Sequence, residues 1–480
     1  MTPDEFRRAG HELVDWIADY RERVQRGEFP VMSRTAPGGL RDALPRQPPP
    51  RGESFSAIRA DLDALILPAC THWQDPRFHG YFPSNGLPAA VLGDFVSTGL
   101  GQLGLNWQSS PALTELEEVC LDWWRQMLGL SERWSGVIQD TASTATFVAL
   151  VCARERATNH GSSRGGLQGQ PRPLVIYVSS QAHSSVEKAA LLAGFGRENL
   201  RTIPVDSNFD LKADALAAAI QADRAAGREP CAIVATCGST ATTAFDPLLE
   251  IAQIARSEEL WLHVDAAMAG SAMIVPECRA LWDGIEGADS LVTNPHKWLG
   301  VSMDCSTYFV RDPQFLVRVM STNPSYLQTA ADGQVKNYRD WGVPLGRRMR
   351  ALKMWFVIRD QGVAGLQARI RRDLAHARWF EGEVRRAPDW KILAPVRLQT
   401  VVVRHEPPSL DGNAADTAAI DAHTRAWVQA INDSGEAYLT PALIEGRWAA
   451  RVSFGNANTE RTHVEDLWSL VRQTVNEGSN

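Results

Sequence analysis

From about residue 136 to 312, short β-rich runs alternate with helical ones, and this alternation constrains the fold more than any other feature. The runs are Leu174 to Val178, Ala232 to Thr236, Leu260 to Val264, Ser290 to Thr293 and Ser306 to Val310. Strands separated by helix-length intervals need crossover connections, so the pattern predicts an α/β fold with a mostly parallel sheet covered by helices on both faces. In such sheets ligands bind beyond the carboxyl ends of the strands, and chemistry is sought there first.

Two strand ends carry chemistry-bearing residues. Leu260-Trp261-Leu262-His263-Val264 ends on Asp265, and Ser290-Leu291-Val292-Thr293 runs into Asn294-Pro295-His296-Lys297-Trp298. An amine and a carboxylate on neighbouring strand ends suit pyridoxal phosphate: the lysine forms a Schiff base with the aldehyde, and the aspartate keeps the ring nitrogen protonated. A lysine between a strand and Trp298-Leu299-Gly300 is partly desolvated, which favours the nucleophilic free amine. Thr141-Ala142-Ser143-Thr144 opens a helix, where backbone amides and hydroxyls form an anion site; plain N-capping needs only one of those hydroxyls. His183 follows the strand Val175 to Val178, placed to lie on a ring, to act in acid–base chemistry or to bond to backbone. Thr240, after Gly238, either meets the cofactor rim or completes a turn.

The flanks differ. Thr2, Pro3 and Glu5 form a capping-box start to an amphipathic helix with Phe6, Leu13, Val14, Ile17 and Val24 on its apolar positions, and it has no local partner. A Pro/Gly-rich connector, Ala36 to Gly52, follows and is expected to be extended. Gly161 to Pro173 is expected to be a disordered surface connection. Beyond Trp355 a helix from Arg369 to Arg385, a β run Val396 to Arg404, a helix near Ala418 to Ile431 and a hairpin at Glu445-Gly446 predict a small α+β domain. The expected divisions are an N-terminal arm and dimerisation segment, 1–87, a large domain, 88–353, and a small domain, 354–480.

A net charge of −7 without clustered Lys or Arg argues against nucleic-acid or anionic-membrane binding. The seven cysteines are scattered without the close pairs of metal or redox sites, which fits a reducing compartment and no metal. No leader-like or membrane-spanning stretch is visible, so the expected location is cytoplasmic.

Several motifs occur together in order: Thr71-His72-Trp73, Tyr81-Phe82-Pro83, Ser110-Pro111-Ala112, Thr114-Glu115-Leu116-Glu117, Gly136 to Thr146, His263 to Ala267, Asn294 to Trp298 and Pro344-Leu345-Gly346-Arg347-Arg348. On these the chain resembles the group II pyridoxal-phosphate decarboxylases, above all the aromatic-L-amino-acid decarboxylases, over nearly its whole length. The resemblance implies fold type I and an obligate homodimer with sites at the interface. It makes Lys297 the Schiff-base lysine, Asp265 the ring-nitrogen partner and His183 the histidine stacked on the ring. It assigns Thr141, Ala142, Ser143, Thr144, Asn294 and His296 to the phosphate surroundings, and Thr240 and Ala267 to ring contacts. Trp73, Tyr81, Phe82, Pro83 and Ser84 match an aromatic substrate pocket, which the partner subunit's Leu103 and the partner subunit's Leu105 complete.

Tyr326 matches the mobile-loop tyrosine that protonates the substrate carbon after carbon dioxide leaves. Similar enzymes that release aldehyde, ammonia and peroxide commonly carry Phe there, or Asn at the His183 position. Leu105 stands where an aromatic residue is usual, and Gly346 stands where glycine accompanies indole acceptance and serine accompanies phenols; both point to tryptophan-type substrates. An apolar wall without a cation disfavours glutamate. The rivals are an oxidative aldehyde synthase on the same fold and an inert cofactor-binding protein.

Overall fold

The computed structural model describes residues 1–82, 84–322, 324–410 and 414–477. The chain divides into two compact units: Met1–Pro83 with Arg378–Leu393 and Val402–Asn480, and Ser84–Ala377 with Ala394–Val401.

In the Ser84–Ala377 unit, seven strands form one sheet: β1 (Ser135–Gln139), β2 (Leu174–Ser179), β3 (Leu200–Ile203), β4 (Glu229–Thr236), β5 (Trp261–Asp265), β6 (Ser290–Thr293) and β7 (Ser306–Val310), ordered β1-β7-β6-β5-β4-β2-β3. The five strands from β6 to β3 are parallel, and β7 runs antiparallel to both β6 and β1. The mostly parallel sheet follows the expectation. Two strands escaped it: β1 contains Gly136, and β3, Leu-Arg-Thr-Ile, is a short edge strand with Arg201 half-buried and Thr202 exposed. Central β2, β5, β6 and β7 are buried along their whole length, as strands covered on both faces require. Trp124, fully buried on the Pro111–Leu128 helix, satisfies its indole N–H on Thr293 Oγ1 (3.1 Å) and Thr307 Oγ1 (3.2 Å), tying that helix to β6 and β7.

Gly161 to Pro173 is more ordered than expected. Turns at Gly161–Ser163 and Gly166–Gly169 are pinned where Ser162 donates its backbone N–H to Glu155 Oε2 (3.1 Å) and accepts from Arg154 Nη2 (2.8 Å). Buried Glu155 needs those partners.

In the other unit the first helix spans Pro3–Gln25 with both halves of the Thr2/Glu5 capping box present, and Phe6 and Val14 stay exposed. A single helical turn, Gly39–Ala43, interrupts the connector. The second sheet, β8 (Trp390–Ile392), β9 (Thr400–His405), β10 (Thr440–Ile444) and β11 (Arg447–Ser453), is ordered β10-β11-β9-β8, with β10/β11 and β8/β9 antiparallel. The β run expected from Val396 begins at Thr400. The helix expected from Arg369 spans Ala351–Arg386, with a break at Gly362 (φ +60°).

Candidate active site

Lys297 sits on a single π-helical turn, Pro295–Leu299, immediately beyond β6. Its own N–H bonds to Asn294 O (2.9 Å), the Asn294 N–H bonds to Ala267 O (2.8 Å), and the His296 N–H to Cys305 O (3.2 Å). Ser84 Oγ donates to His296 O (3.0 Å) and Leu87 N–H to Gly300 O (2.9 Å). Gly300 closes the turn at φ +87°, where a Cβ would lie 2.6 Å from Arg369 Nη1 and 2.8 Å from Leu87 Cγ. Only glycine meets both demands.

Asp265 ends β5, which pairs in parallel with β6 in the register Asp265↔Val292, so the two strand ends lie side by side. Asp265 is 6% exposed; its carboxylate accepts the Ala267 N–H at 3.0 Å, and its carbonyl accepts from Cys237 N–H (2.9 Å). His183 shares this neighbourhood. Burial first, then the charge of Lys297, holds its imidazole below the usual range, against the opposing pull of Asp265. It caps the Ser184–Leu192 helix, with Nδ1 accepting the Ser185 N–H (3.2 Å). A backbone N–H only donates, so neutral His183 carries its proton on Nε2. His296 obeys the same logic: Nδ1 accepts the Cys305 N–H (3.0 Å), and burial followed by Lys297 pushes its pKa down to about 4. Both imidazoles are therefore neutral Nε2–H donors at pH 7.

Thr141 caps the Ala142–Ala157 helix: its hydroxyl accepts the Thr144 N–H (3.4 Å) and lies 3.4 Å from Thr144 Oγ1, and its carbonyl accepts the Ala145 N–H (3.1 Å). The amides of Ala142 and Ser143 belong to the first turn, whose donors find no partner inside a helix. Ser143 is exposed and Ala142 buried. Asn294 is buried, its side-chain oxygen taken by Ser306 Oγ. Thr240 lies exposed in the turn after β4, and Ala267 is half-buried.

The expected substrate residues fall into two sets. In the larger unit, Gly346 and Leu103 meet: a Cβ on Gly346 would lie 3.2 Å from Leu103 Cδ1, and Gly104 N–H donates to Arg347 O (2.9 Å). Leu103 is exposed and Leu105 half-exposed. In the other unit, Trp73 stacks on Tyr81 (centroids 5.6 Å apart, 17° between planes), and Tyr81 accepts from Tyr438 Oη at 3.1 Å. Phe82 is buried there under the Arg451 guanidinium, 4.2 Å from the ring centroid. This wall is thus not free of cations, contrary to expectation: Arg451 on β11 is spaced too far from Phe82 in sequence for the pairing to be foreseen. Pro83 and the side chain of Tyr326 lie outside the described residues; the Tyr326 backbone belongs to a short turn, Ser325–Leu327.

Sequence reasoning gave no role to a buried ion pair of Glu117 and Arg347 (2.6 Å), in which Glu117 Oε1 also accepts the Ile138 N–H (2.8 Å) and Arg347 donates to Ile138 O (2.7 Å). The pair fastens the segment bearing Gly346 to β1, which leads into Thr141. Both residues lie in the quoted motifs, but nothing in their spacing pairs them.

Comparison with known proteins agrees with this geometry. The pyridoxal-dependent decarboxylase conserved domain matches residues 37–406. The chain is 41% identical to the aromatic-L-amino-acid decarboxylase of Bos taurus, covering 98% of this chain and 96% of that protein, and 39% identical to a phenylacetaldehyde synthase of a Rosa hybrid cultivar, covering 98% and 94%. The crystal structure of Oryza sativa TDC with PLP and tryptamine superposes with a TM-score of 0.96 at 37% identity, covering 100% of this chain and 99% of that one. The chain belongs to the pyridoxal-dependent decarboxylase family, has the fold of its fold type I members, and takes pyridoxal phosphate as its cofactor. The residues fit that group: an amine and a buried carboxylate on adjacent strand ends, with open helix-start amides for a phosphate.

Proposed function

We propose that the protein decarboxylates aromatic L-amino acids to arylalkylamines. The observation that carries this is the pairing of Lys297 and Asp265 at the ends of adjacent parallel strands. Pyridoxal phosphate supplies an electron-accepting ring for the carbanion left when carbon dioxide departs. Lys297 Nζ would hold its aldehyde, Asp265 would keep a proton on its ring nitrogen, and His183 would lie on its face. Ala267 and Thr240 would touch the ring. The amides at Ala142 and Ser143, the hydroxyls of Thr141 and Thr144, Asn294 and the His296 Nε2–H would take the phosphate.

The protonation state of His183 favours a division of labour. Its Nδ1 is occupied by the Ser185 N–H and its Nε2 holds the ring proton, so it orients by donating a hydrogen bond and is a poor proton carrier. The proton returned to the substrate carbon is assigned to Tyr326 Oη. Replacing Tyr326 with Phe should therefore divert product from amine to arylacetaldehyde, with ammonia and peroxide formed at the expense of oxygen. An amine yield in Tyr326→Phe equal to that of the unaltered enzyme removes this role.

Trp73, Tyr81, Phe82, Pro83 and Ser84 are proposed to receive the aromatic side chain, with the partner subunit's Leu103 and the partner subunit's Leu105 completing the pocket. Glycine at 346 leaves open the space beside Leu103 that a serine side chain would take, which favours indole over phenol. Leu92, Phe95, Val96 and Leu100 on the Pro88–Leu100 helix are exposed, as is Leu103, and Phe6 and Val14 are exposed on the first helix. Apolar surface of this kind is what an interface covers, and a homodimer is proposed to cover it. Free cysteines throughout and the lack, among the described residues, of a helix long and apolar enough to cross a membrane support a cytoplasmic setting.

A further inference from the structure

The long helix Ala351–Arg386 presents Arg369 and Asp373 on one face, a turn apart. Both are buried, at 9% and 1% exposure, and both reach the same residue. Arg369 Nη2 donates to Trp298 O (2.6 Å), and Asp373 Oδ2 accepts from Trp298 Nε1 (2.9 Å). Arg372 donates to the other Asp373 oxygen at 3.2 Å. Burial pushes Asp373 up to about 6 and Arg369 down to about 10, so both charges are held against a solvation cost. Apolar side chains would fill such a site at less cost if packing were the only need.

What the two charges hold is the residue that follows Lys297. The backbone bonds described above fix residues 294, 296, 297 and 300; Arg369 and Asp373 fix 298 at both its carbonyl and its indole. We propose that Arg369 and Asp373 are positioning residues for Lys297, setting the direction of its amine by clamping Trp298. This rests on the assignment of Lys297 as the cofactor-binding lysine. An amine swung even slightly from its working position loses far more rate than substrate affinity.

The test uses the full-length enzyme and pairs Asp373→Leu, which removes the acceptor, with Asp373→Asn, which keeps a carbonyl oxygen for the indole, and with Trp298→Phe, which removes the donor. For each, kcat and KM are measured, pyridoxal phosphate affinity is read by equilibrium dialysis of the apoenzyme, and the absorbance of the cofactor-bound enzyme is titrated with pH. Asp373→Leu and Trp298→Phe should each lower kcat by about tenfold or more with KM within about threefold, weaken cofactor binding and shift the titration midpoint. Asp373→Asn should recover most of the loss. The double variant Trp298→Phe/Asp373→Leu should be no worse than the poorer single one, since both break one contact. A folded Asp373→Leu with kcat within about twofold of the unaltered enzyme, or Asn and Leu equally impaired with an unmoved titration, overturns the proposal. Should Asp373→Leu fail to fold, unaltered kcat in Trp298→Phe overturns it equally. Lys297→Ala runs alongside: if it still turns over, the lysine assignment fails, whereas an inactive Lys297→Ala with unperturbed Asp373 variants sinks only the clamp.

Discussion

Lys297→Ala is expected to lower turnover by about 10⁴-fold or more, to background, and to abolish the absorbance of lysine-bound cofactor. Lys353, the buried lysine whose charge also reaches His296, has its amine engaged with Asp94 Oδ2 at 3.0 Å. His183 and His296 both spend Nδ1 on backbone N–H groups, and burial with the neighbouring lysine keeps both imidazoles neutral. The turn carrying Lys297 is held by backbone bonds, so the truncation should leave it in place. Circular dichroism and thermal unfolding should match the unaltered enzyme. Lys297→Arg should be equally inactive, because a guanidinium keeps the charge and never becomes a free amine at working pH. Multiple turnovers at the unaltered rate in Lys297→Ala would remove its assigned role.

Asp265→Asn should cost about 10²- to 10³-fold in kcat, the scale of removing one preorganised charge from a reacting centre. The substitution separates two duties. Asn keeps an oxygen for the Ala267 N–H and hence the local turn, but it loses the charge that would hold a proton on the ring nitrogen. The neighbourhood offers no replacement anion within the same strand end. His263, two residues back on β5, is pushed down to about 4 by burial and stays neutral between Thr146 Oγ1 and Ser290 Oγ. Steady-state kinetics with cofactor binding measured separately distinguishes lost chemistry from lost occupancy: the expected result is a low kcat at saturating pyridoxal phosphate, and a kcat restored by added cofactor would contradict it.

The sheet and the strand-end residues were legible because β-branched runs separated by helix-length intervals leave few topologies, and Asp265 and Lys297 stand directly after such runs. His183 was legible for the same reason. β1 and β3 were not: a glycine in one and polar positions in the other weaken the signal that burial would otherwise write. Contacts distant along the chain were invisible to spacing. Asp373 reaches Trp298 across 75 residues and Arg347 reaches Glu117 across 230, and only the folded sheet shows that they meet. Arg451 over Phe82 belongs to the same class, and it turned an expected cation-free wall into one with a buried guanidinium. Tyr326 is a candidate through resemblance alone, since a loop tyrosine has no periodicity to mark it.

The most direct measurement is product analysis of the purified, cofactor-loaded enzyme against tryptophan, 5-hydroxytryptophan, DOPA, tyrosine, phenylalanine and glutamate, scoring amine, aldehyde and peroxide together. The expected result is arylalkylamine and carbon dioxide in equal amounts from the aromatic acids, the indoles ahead of the phenols. Aldehyde with stoichiometric peroxide, or no turnover of any aromatic acid, would contradict it.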